Sequence, residues 1–313
     1  MVTLENLNTN LNGLNLKSPI ITASGTYGYA DEYDDFIDVK NLGAIVTKAI
    51  SLEPRSGNKN IRIMETNAGM INSIGLENMG IKAFLENVIP KLEQKNISFI
   101  MNIAGATFEE YVELAKICET NSIKAIELNL SCPNVKSGCL EFGTDENALY
   151  NLVKAVRENY SGILITKLTP NVTSIEKIAV ASQKAGADII SAINTVKATG
   201  IKLELIRGKF VEKRINGGLS GMGIKPIALR AISTIKKEVD IPIIGMGGIN
   251  TLTDILEFIA AGADAFQIGT ANFTNPTIAE DLTTELSNFI KDNNLGSFEE
   301  LKVKIREDIK NGN

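Results

Sequence analysis

A short phrase occurs twice in the chain, as KAGAD at residues 184–188 and as AAGAD at residues 260–264. Each copy follows a helical pattern and precedes an apolar run, IISAIN at 189–194 and AFQIGT at 265–270. We interpret the glycine as the left-handed cap at which a helix ends, so that the following residues begin a strand. The phrase therefore marks the helix-to-strand step of a repeating strand–helix unit.

Apolar runs rich in Ile, Val, Leu and Ala are typical of parallel strands that are buried on both faces. They occur at residues 20–24, 44–49, 99–104, 125–130, 164–168, 189–194, 242–247 and 265–270. Helical spacing predicts helices at 108–119, 147–159, 174–185, 226–237 and 252–260, and two outer helices within 276–309. Thr107, Asp145 and Thr251 are predicted N-caps, and Glu110 completes a Thr-x-x-Glu capping box. This alternation favours an α/β fold of the (β/α)₈ TIM-barrel type, with a doubly wound open sheet as the alternative.

Three connections are longer than barrel loops usually are, at residues 50–80, 131–143 and 195–223. Each follows a predicted strand, so each is expected to lie at the C-terminal mouth of the barrel, where active sites form. No linker or change of composition divides the chain. We therefore expect residues 1–313 to form one barrel domain.

Composition excludes several classes of protein and of site. The 313 residues are 44% hydrophobic and 22% charged, which is typical of a globular protein, and no run is long enough to cross a membrane. The first 20 residues show no signal-peptide pattern, and the net charge of −5 argues against a nucleic-acid partner. Three cysteines without paired spacing are typical of a reducing cytoplasm. The chain has no histidine, which excludes Ser-His-Asp and Cys-His catalysis.

Cysteine 132 is the candidate base or nucleophile. It lies in NLSCPNV, just after the fourth predicted strand, where a thiol would reach the barrel mouth. A buried, unreactive thiol is the alternative. Cys118 is predicted to pack in the core, and Cys139 shares no metal-binding spacing with Cys132, so no metal site is predicted.

Amides and lysines cluster at predicted strand ends. Asn102, Asn129 and Asn194 end strands, and a carboxamide offers a donor and an acceptor to a flat polar ligand. Lys48 and Lys167 also end apolar runs, so their ammonium groups should face the mouth and an anionic ligand. A buried ion pair with Glu127 is the alternative for such a lysine.

Glycine-rich turns gather in the last third of the chain, at 217–221, 245–248 and 269–270. Turns after the last two barrel strands are the usual phosphate site of this fold. No G-x-G-x-x-G follows the first strand, so a Rossmann nucleotide site is not supported. A phosphate cradle, strand-end lysines, amides and a lone thiol together suit flavin mononucleotide (FMN), which performs hydride chemistry that side chains cannot.

The motifs resemble one known family. SCPN at 131–134, VTKA around Lys48, NSIGL at 72–76, NT at 194–195 and IIGMGGI at 243–249 closely resemble dihydroorotate dehydrogenase, in order and over essentially the whole chain. The cysteine resembles the class 1 enzymes, because the membrane-linked class has serine there. The resemblance implies oxidation of (S)-dihydroorotate to orotate in de novo pyrimidine (UMP) biosynthesis, in the cytoplasm. It also implies that Cys132 removes the C5 proton and FMN accepts the C6 hydride.

The resemblance further implies roles for named residues. Catalysis is assigned to Cys132 and Lys48. Substrate binding is assigned to Lys48, Asn72, Ser73, Ile74, Gly75, Leu76, Asn129, Asn134, Asn194 and Thr195. FMN binding is assigned to Ser24, Lys48, Ala49, Asn102, Asn129, Lys167, Ile193, Gly221, Gly247, Gly248, Gly269 and Thr270.

The electron acceptor depends on the subclass. INGGLSGMGIKP at 215–226 and TPNVTSI at 169–175 resemble the NAD-linked class 1B catalytic subunit more than the fumarate-dependent class 1A homodimer. Class 1B implies a homodimer of this chain within a heterotetramer whose second subunit carries FAD and a [2Fe–2S] cluster. The chain has three cysteines, too few for a Cys₄ cluster of its own. The alternatives are class 1A, a flavin barrel acting on another dihydropyrimidine or on tRNA dihydrouridine, a non-redox phosphate-binding enzyme, and a non-catalytic scaffold.

Overall fold

A computed structural model describes residues 4–29, 36, 39–59, 61–130 and 142–312. The strands are β1 (Thr9–Leu11), β2 (Leu14–Leu16), β3 (Ile20–Thr22), β4 (Ile45–Val46), β5 (Ile63–Thr66), β6 (Gly69–Asn72), β7 (Phe99–Ile103), β8 (Ala125–Asn129), β9 (Ile163–Leu168), β10 (Ile189–Ala192), β11 (Val196–Ile206), β12 (Lys209–Ser220), β13 (Ile243–Met246) and β14 (Ala265–Ile268). The helices are α1 (Gly80–Asn87), α2 (Ile89–Gln94), α3 (Phe108–Thr120), α4 (Glu146–Asn159), α5 (Ile175–Lys184), α6 (Lys225–Lys236), α7 (Leu252–Ala261), α8 (Ala271–Thr274), α9 (Ile278–Asp292) and α10 (Phe298–Gly312).

Eight parallel strands form the central sheet, in the order β3-β14-β13-β10-β9-β8-β7-β4. Two backbone hydrogen bonds connect β3, the first strand in this order, with the residues just before β4, the last strand. Gly43 N donates to Ile20 O at 3.0 Å, and Thr22 N donates to Ala44 O at 3.3 Å. The sheet therefore curls into a barrel, as the apolar runs predicted, and the doubly wound alternative is wrong.

The helix ends follow the predicted capping. Gly186 and Gly262 have φ of 100° and 115°, so both copies of the repeated phrase place glycine in the left-handed region. The oxygens of Thr107 and Asp145 accept from backbone N–H groups in the first turns of α3 and α4. The predicted capping box at Thr107 is wrong, because the Glu110 carboxylate accepts from Ala106 N at 2.6 Å, one residue before the N–H that a capping box would use.

The aspartate of the repeated phrase fastens neighbouring strands at the N-terminal end of the barrel. Asp188 accepts from Leu164 N at 2.8 Å, and Asp264 accepts from Ile243 N at 3.0 Å. Asp188 also pairs with Arg157 at 3.0 Å. The phrase thus sets strand register as well as ending a helix.

The hairpin of β1 and β2 closes the N-terminal end of the barrel. Leu11 and Leu16 are buried in a cluster with residues that point into the barrel interior. These interior residues are Ile21, Val46, Ile100, Ile165, Ile189 and Ile244. A filled floor leaves the opposite end as the place for a ligand.

Two of the three long insertions build one structure above the mouth. The hairpins β5–β6 and β11–β12 join in a four-stranded antiparallel sheet with the order β11-β12-β6-β5, in which Gly218 pairs with Asn72. We call this the mouth sheet. Long loops were predicted here, and their mutual pairing is the feature that the sequence did not indicate. Most of the third insertion, 131–141, lies outside the described residues.

The outer helices α9 and α10 confirm the prediction for the tail. Among the described residues, no helix combines the length and the apolar character required to span a bilayer.

Candidate active site

A cavity of about 1430 Å³ lies at the mouth of the barrel, between the strand ends and the mouth sheet. Sites for one small molecule usually measure roughly 300–1,000 Å³. The cavity therefore has room for two ligands side by side.

Most of the predicted site residues line this cavity. They are Ser24, Lys48, Ala49, Asn72, Ser73, Ile74, Gly75, Leu76, Asn129, Lys167, Ile193, Asn194, Thr195, Gly221, Gly247, Gly248, Gly269 and Thr270. The predicted base Cys132, together with Asn134 and Cys139, lies outside the described residues.

The predicted amides meet at the wall of the cavity. Asn194 Nδ2 donates to Asn129 Oδ1 at 3.3 Å, and Asn194 Oδ1 accepts from Thr195 N at 2.8 Å. Asn72 is the last residue of β6, and its Nδ2 donates to Gly218 O at 3.2 Å within the mouth sheet. Amides from the barrel and from its cover therefore face the same space.

The turn formed by residues 73–76 is held over the cavity by Asn58, whose Nδ2 donates to Ser73 O at 2.9 Å. Gly75 has φ of 78°, and a Cβ there would lie 2.6 Å from Asn58 Oδ1. Leu76 also has a positive φ, 54°. Only glycine fits the position next to Asn58 without strain, which explains the local sequence Ile-Gly-Leu.

Lysine 48 lies at the edge of the cavity beside a carboxylate of the first insertion. Its Nζ is 3.7 Å from Glu77 Oε2, and the same oxygen accepts from Arg62 at 2.8 Å. The Lys48 side chain is partly exposed to the cavity, so its ammonium remains accessible to an anionic ligand.

Lysine 167 is almost fully buried and combines the two roles that the sequence left open. Its Nζ lies 3.6 Å from Glu127 Oε1, and its side chain also lines the cavity. Asn102 Nδ2 donates to the same Glu127 oxygen at 2.7 Å. Asn102 is fully buried and lies outside the cavity lining, whereas the family resemblance implied a position beside the flavin.

The glycine turns pack against one another at one corner of the cavity. Gly247 and Gly248 have φ of 123° and 82°, and a Cβ on Gly248 would lie 3.0 Å from Gly221 O. A Cβ on Gly269 would meet only Ala23 Cβ, at 3.6 Å, which leaves space beside this turn. Thr270 Oγ1 donates to Ser220 Oγ at 2.8 Å at the same corner.

Residues at this corner fit a phosphate. Backbone N–H groups of tight glycine turns and hydroxyl groups are the donors that phosphate oxygens accept from. Gly248 leaves no room for a side chain, whereas the space beside Gly269 is open, so a ligand could approach the backbone there. With the buried ammonium of Lys167 nearby in the cavity, the donor set suits a phosphorylated planar cofactor.

Sequence reasoning missed several lining residues, among them Thr169, Asn171, Ser220, Met246 and Gln267. Gln267 offered a signal, because a polar residue stands inside the apolar run AFQIGT. Asn171 had no such signal. Its carboxamide connects the strand ends by donating to Thr195 O at 3.0 Å and accepting from Lys197 N at 2.8 Å.

Cysteine 118 is separate from this cavity. It is fully buried on α3, and burial raises the pKa of its thiol to about 12. Such a thiol stays neutral, which agrees with the predicted packing role.

Comparisons with known proteins agree with the geometry. Residues 6–290 match the family model described as dihydroorotate dehydrogenase. The chain is similar to the protein named "Dihydroorotate dehydrogenase B (NAD(+)), catalytic subunit" of Geotalea uraniireducens, with 45% identity over 94% of this chain and 96% of the relative. The proteins of that name from Bacillus pumilus and Listeria innocua share 47% and 45% identity, over 94% and 96% of this chain and 94% and 99% of the relatives. The chain belongs to the dihydroorotate dehydrogenase family.

Proposed function

We propose that this chain is the catalytic subunit of an NAD-linked dihydroorotate dehydrogenase that oxidises (S)-dihydroorotate to orotate in pyrimidine biosynthesis. The observation that carries the proposal is the convergence of Lys48, Lys167, the amides and the glycine turns on one cavity. The full-length similarity to NAD-linked catalytic subunits supports the same substrate and the same subclass.

The cofactor of the proposal is one FMN per chain. FMN supplies a two-electron acceptor for hydride that no side chain can provide. Gly221, Gly247, Gly248, Gly269 and Thr270 would hold its phosphate. Ser24, Ala49 and Ile193 are assigned to its ring system, and Lys48, Asn129 and Lys167 to polar contacts with it. Asn102, which lies outside the cavity lining, is not assigned a contact with the ring. The ammonium of Lys167 would stabilise the negative charge that the ring system gains on reduction.

The substrate would lie against the amides and the turn over the cavity. Asn72, Asn129, Asn134 and Asn194, with Thr195, would hold the dihydropyrimidine ring and its carboxylate, and Lys48 would offset the charge of that carboxylate. The backbone of residues 73–76 would close over the substrate and exclude water. These contacts orient the C5 and C6 hydrogens for removal.

Proton removal is assigned to Cys132. Its Sγ would take the C5 proton while the C6 hydrogen leaves as hydride to the cofactor, and the C5=C6 double bond of orotate forms between them. Because the chain has no histidine, the base must be another side chain, and a cysteine acts as a base through its thiolate form.

Transfer of the electrons to NAD then requires a partner subunit. Three cysteines cannot bind a [2Fe–2S] cluster through four thiolates, so the route to NAD passes through a second subunit that carries FAD and the cluster. We propose a homodimer of this chain within a heterotetramer, in the cytoplasm.

The test uses the purified chain under anaerobic conditions. We expect a yellow protein with one FMN per chain, whose visible band is bleached by dihydroorotate and not by dihydrouracil. NAD⁺ should reoxidise it only when the iron–sulfur flavoprotein is present. Rapid reoxidation by fumarate without a partner would indicate class 1A, and a colourless chain that binds no FMN would refute the proposal.

A further inference from the structure

A fully buried carboxylate lies beneath the cavity and is not used by the proposed mechanism. Glu127, in the middle of β8, is 0% exposed. Ser191 Oγ donates to its Oε2 at 2.8 Å, and Gln267 Nε2 donates to the same oxygen at 2.7 Å. Asn102 Nδ2 and Lys167 Nζ lie 2.7 Å and 3.6 Å from its Oε1.

These partners come from four other strands of the barrel. Asn102 is on β7, Lys167 on β9, Ser191 on β10 and Gln267 on β14, which is four places from β8 in the strand order. The Glu127 carboxylate therefore connects opposite walls of the barrel, directly below the open mouth. A set of donors alone is what an ionised carboxylate requires.

The side-chain amides of Asn102 and Gln267 are oriented to donate hydrogen bonds to this carboxylate. Asn102 and Gln267 both turn their nitrogens toward Glu127, and their buried oxygens Oδ1 and Oε1 have no partner among the described residues. A buried acceptor without a donor is unfavourable, so the carboxylate dictates the orientation of both side chains.

Lysine 167 connects the carboxylate to the cavity. Its side chain is only 7% exposed, it lines the cavity, and Glu127 is the acidic group at its buried end. At 3.6 Å the pair is an ion pair without a short hydrogen bond, so Glu127 offsets only part of the positive charge.

We propose that Glu127 is a positioning residue that acts through Lys167: its carboxylate holds the ammonium at the cavity wall, offsets part of its charge, and so lowers the reduction potential of bound FMN. The inference rests on the proposed function. Removing the Glu127 charge should leave Lys167 uncompensated, which favours reduced FMN over oxidised FMN.

The experiment is a double-mutant cycle of Glu127→Gln and Lys167→Met, read as the midpoint potential and the absorption spectrum of bound FMN. We expect Glu127→Gln to raise the ratio of affinities for reduced and oxidised FMN about tenfold, which for two electrons is about 30 mV in the positive direction. In the Lys167→Met background the same substitution should change the ratio less than about twofold, because the residue through which it acts is gone. Ser191→Ala is the matched control, since it removes one hydrogen bond and keeps the charge.

The outcomes separate the two proposals. If wild-type protein binds FMN and Glu127→Gln leaves the potential unchanged, or shifts it equally with and without Lys167, the role of Glu127 is refuted and the proposed function stands. If wild-type protein binds no FMN, both are refuted. If the Glu127→Gln variant does not fold, the double variant, which removes both charges, is used instead. Its midpoint potential of bound FMN is compared with that of the Lys167→Met variant, and equal midpoint potentials are the expected result.

Discussion

Two buried carboxylates, one at the N-terminal end of the barrel and one halfway along a strand below the mouth, have different kinds of partner. Asp264, at the N-terminal end of β14, accepts from Ile243 N and lies 3.1–3.7 Å from three cations, Lys236, Lys302 and Arg306. Those cations come from the outer helices α6 and α10. Glu127, nearer the mouth, takes its partners from strands, and two of them, Lys167 and Gln267, line the cavity.

The difference shows how a barrel separates stability from function. At the N-terminal end a carboxylate fastens helices to a filled floor, and no substrate reaches it. Toward the mouth a carboxylate orders side chains that face an open space. Substitutions at the two ends should therefore change different measurements.

The largest effect is expected for Cys132→Ala, a change at the mouth. FMN should remain bound, but reduction by dihydroorotate should slow by about 10²–10⁴-fold, because no imidazole can replace the thiolate as base. Anaerobic stopped-flow absorbance measures this rate. Cys118→Ala is the control: it should lower the free energy of unfolding by about 1 kcal/mol and leave the rate unchanged. A wild-type rate in Cys132→Ala would show that another group is the base.

The next effect is expected at the other end of the barrel. Asp264→Asn removes the partner of three cations, so the free energy of unfolding should fall by about 3 kcal/mol. Chemical denaturation measures this loss. FMN affinity and the rate of flavin reduction, measured under native conditions, should stay at wild-type values, and a large loss of either would mean that the two ends are coupled.

A smaller effect is expected for Gly248→Ala, which tests the phosphate corner. A Cβ at φ of 82° is strained and lies 2.8 Å from Lys225 Cβ, so stability should fall by about 1–2 kcal/mol and FMN affinity should fall with it. Gly262→Ala is the matched control, because its φ of 115° is equally unsuitable but the residue lies at the C-terminus of α7, away from the cavity. Equal FMN affinities in the two variants would argue against the corner as a phosphate site.

The smallest effect is the pH dependence of the contribution that Asp264 makes to the free energy of unfolding. Burial raises the pKa of this carboxyl, but Lys236, the Ile243 N–H, Arg306 and Lys302 outweigh it and hold the pKa below its usual 3.8. A lowered pKa stabilises the folded state at pH values above 3.8, and this stabilisation is lost as the pH falls below that value. The difference in the free energy of unfolding between wild type and Asp264→Asn should therefore be constant near neutral pH. It should become smaller as the pH falls into the acid range. A difference that widens in acid would reverse the assigned sign.

Local patterns gave most of the fold. Strands buried on both faces leave continuous apolar runs, and capping depends on a few adjacent residues, so both could be read from the sequence. The mouth sheet could not, because the pairing of Gly218 with Asn72 joins segments far apart in the chain. In addition, β11 and β12 are largely exposed, and the apolar side chains of Ile201, Leu203 and Leu205, which alternate with charged ones, are not buried in a core.

The residues of the candidate site, like the strands, could be predicted from local sequence. Side chains at the ends of parallel strands meet at one edge, so Lys48, Lys167, Asn129 and Asn194 could be grouped without coordinates. Their orientation could not be predicted. Asn102 turns toward Glu127 instead of toward the cavity, because a buried carboxylate competes for its amide, and this competition depends on strands from the far wall.

The most direct test of the mouth as the cofactor site is a calorimetric titration of the cofactor-free chain with FMN and with riboflavin, which lacks the phosphate. FMN should bind one per chain, and riboflavin should bind about a hundredfold more weakly or worse, because charge-assisted hydrogen bonds of about 1.5–3 kcal/mol each would be lost. Equal affinities for the two compounds, or no binding of FMN, would contradict the placement of a flavin phosphate at the glycine turns.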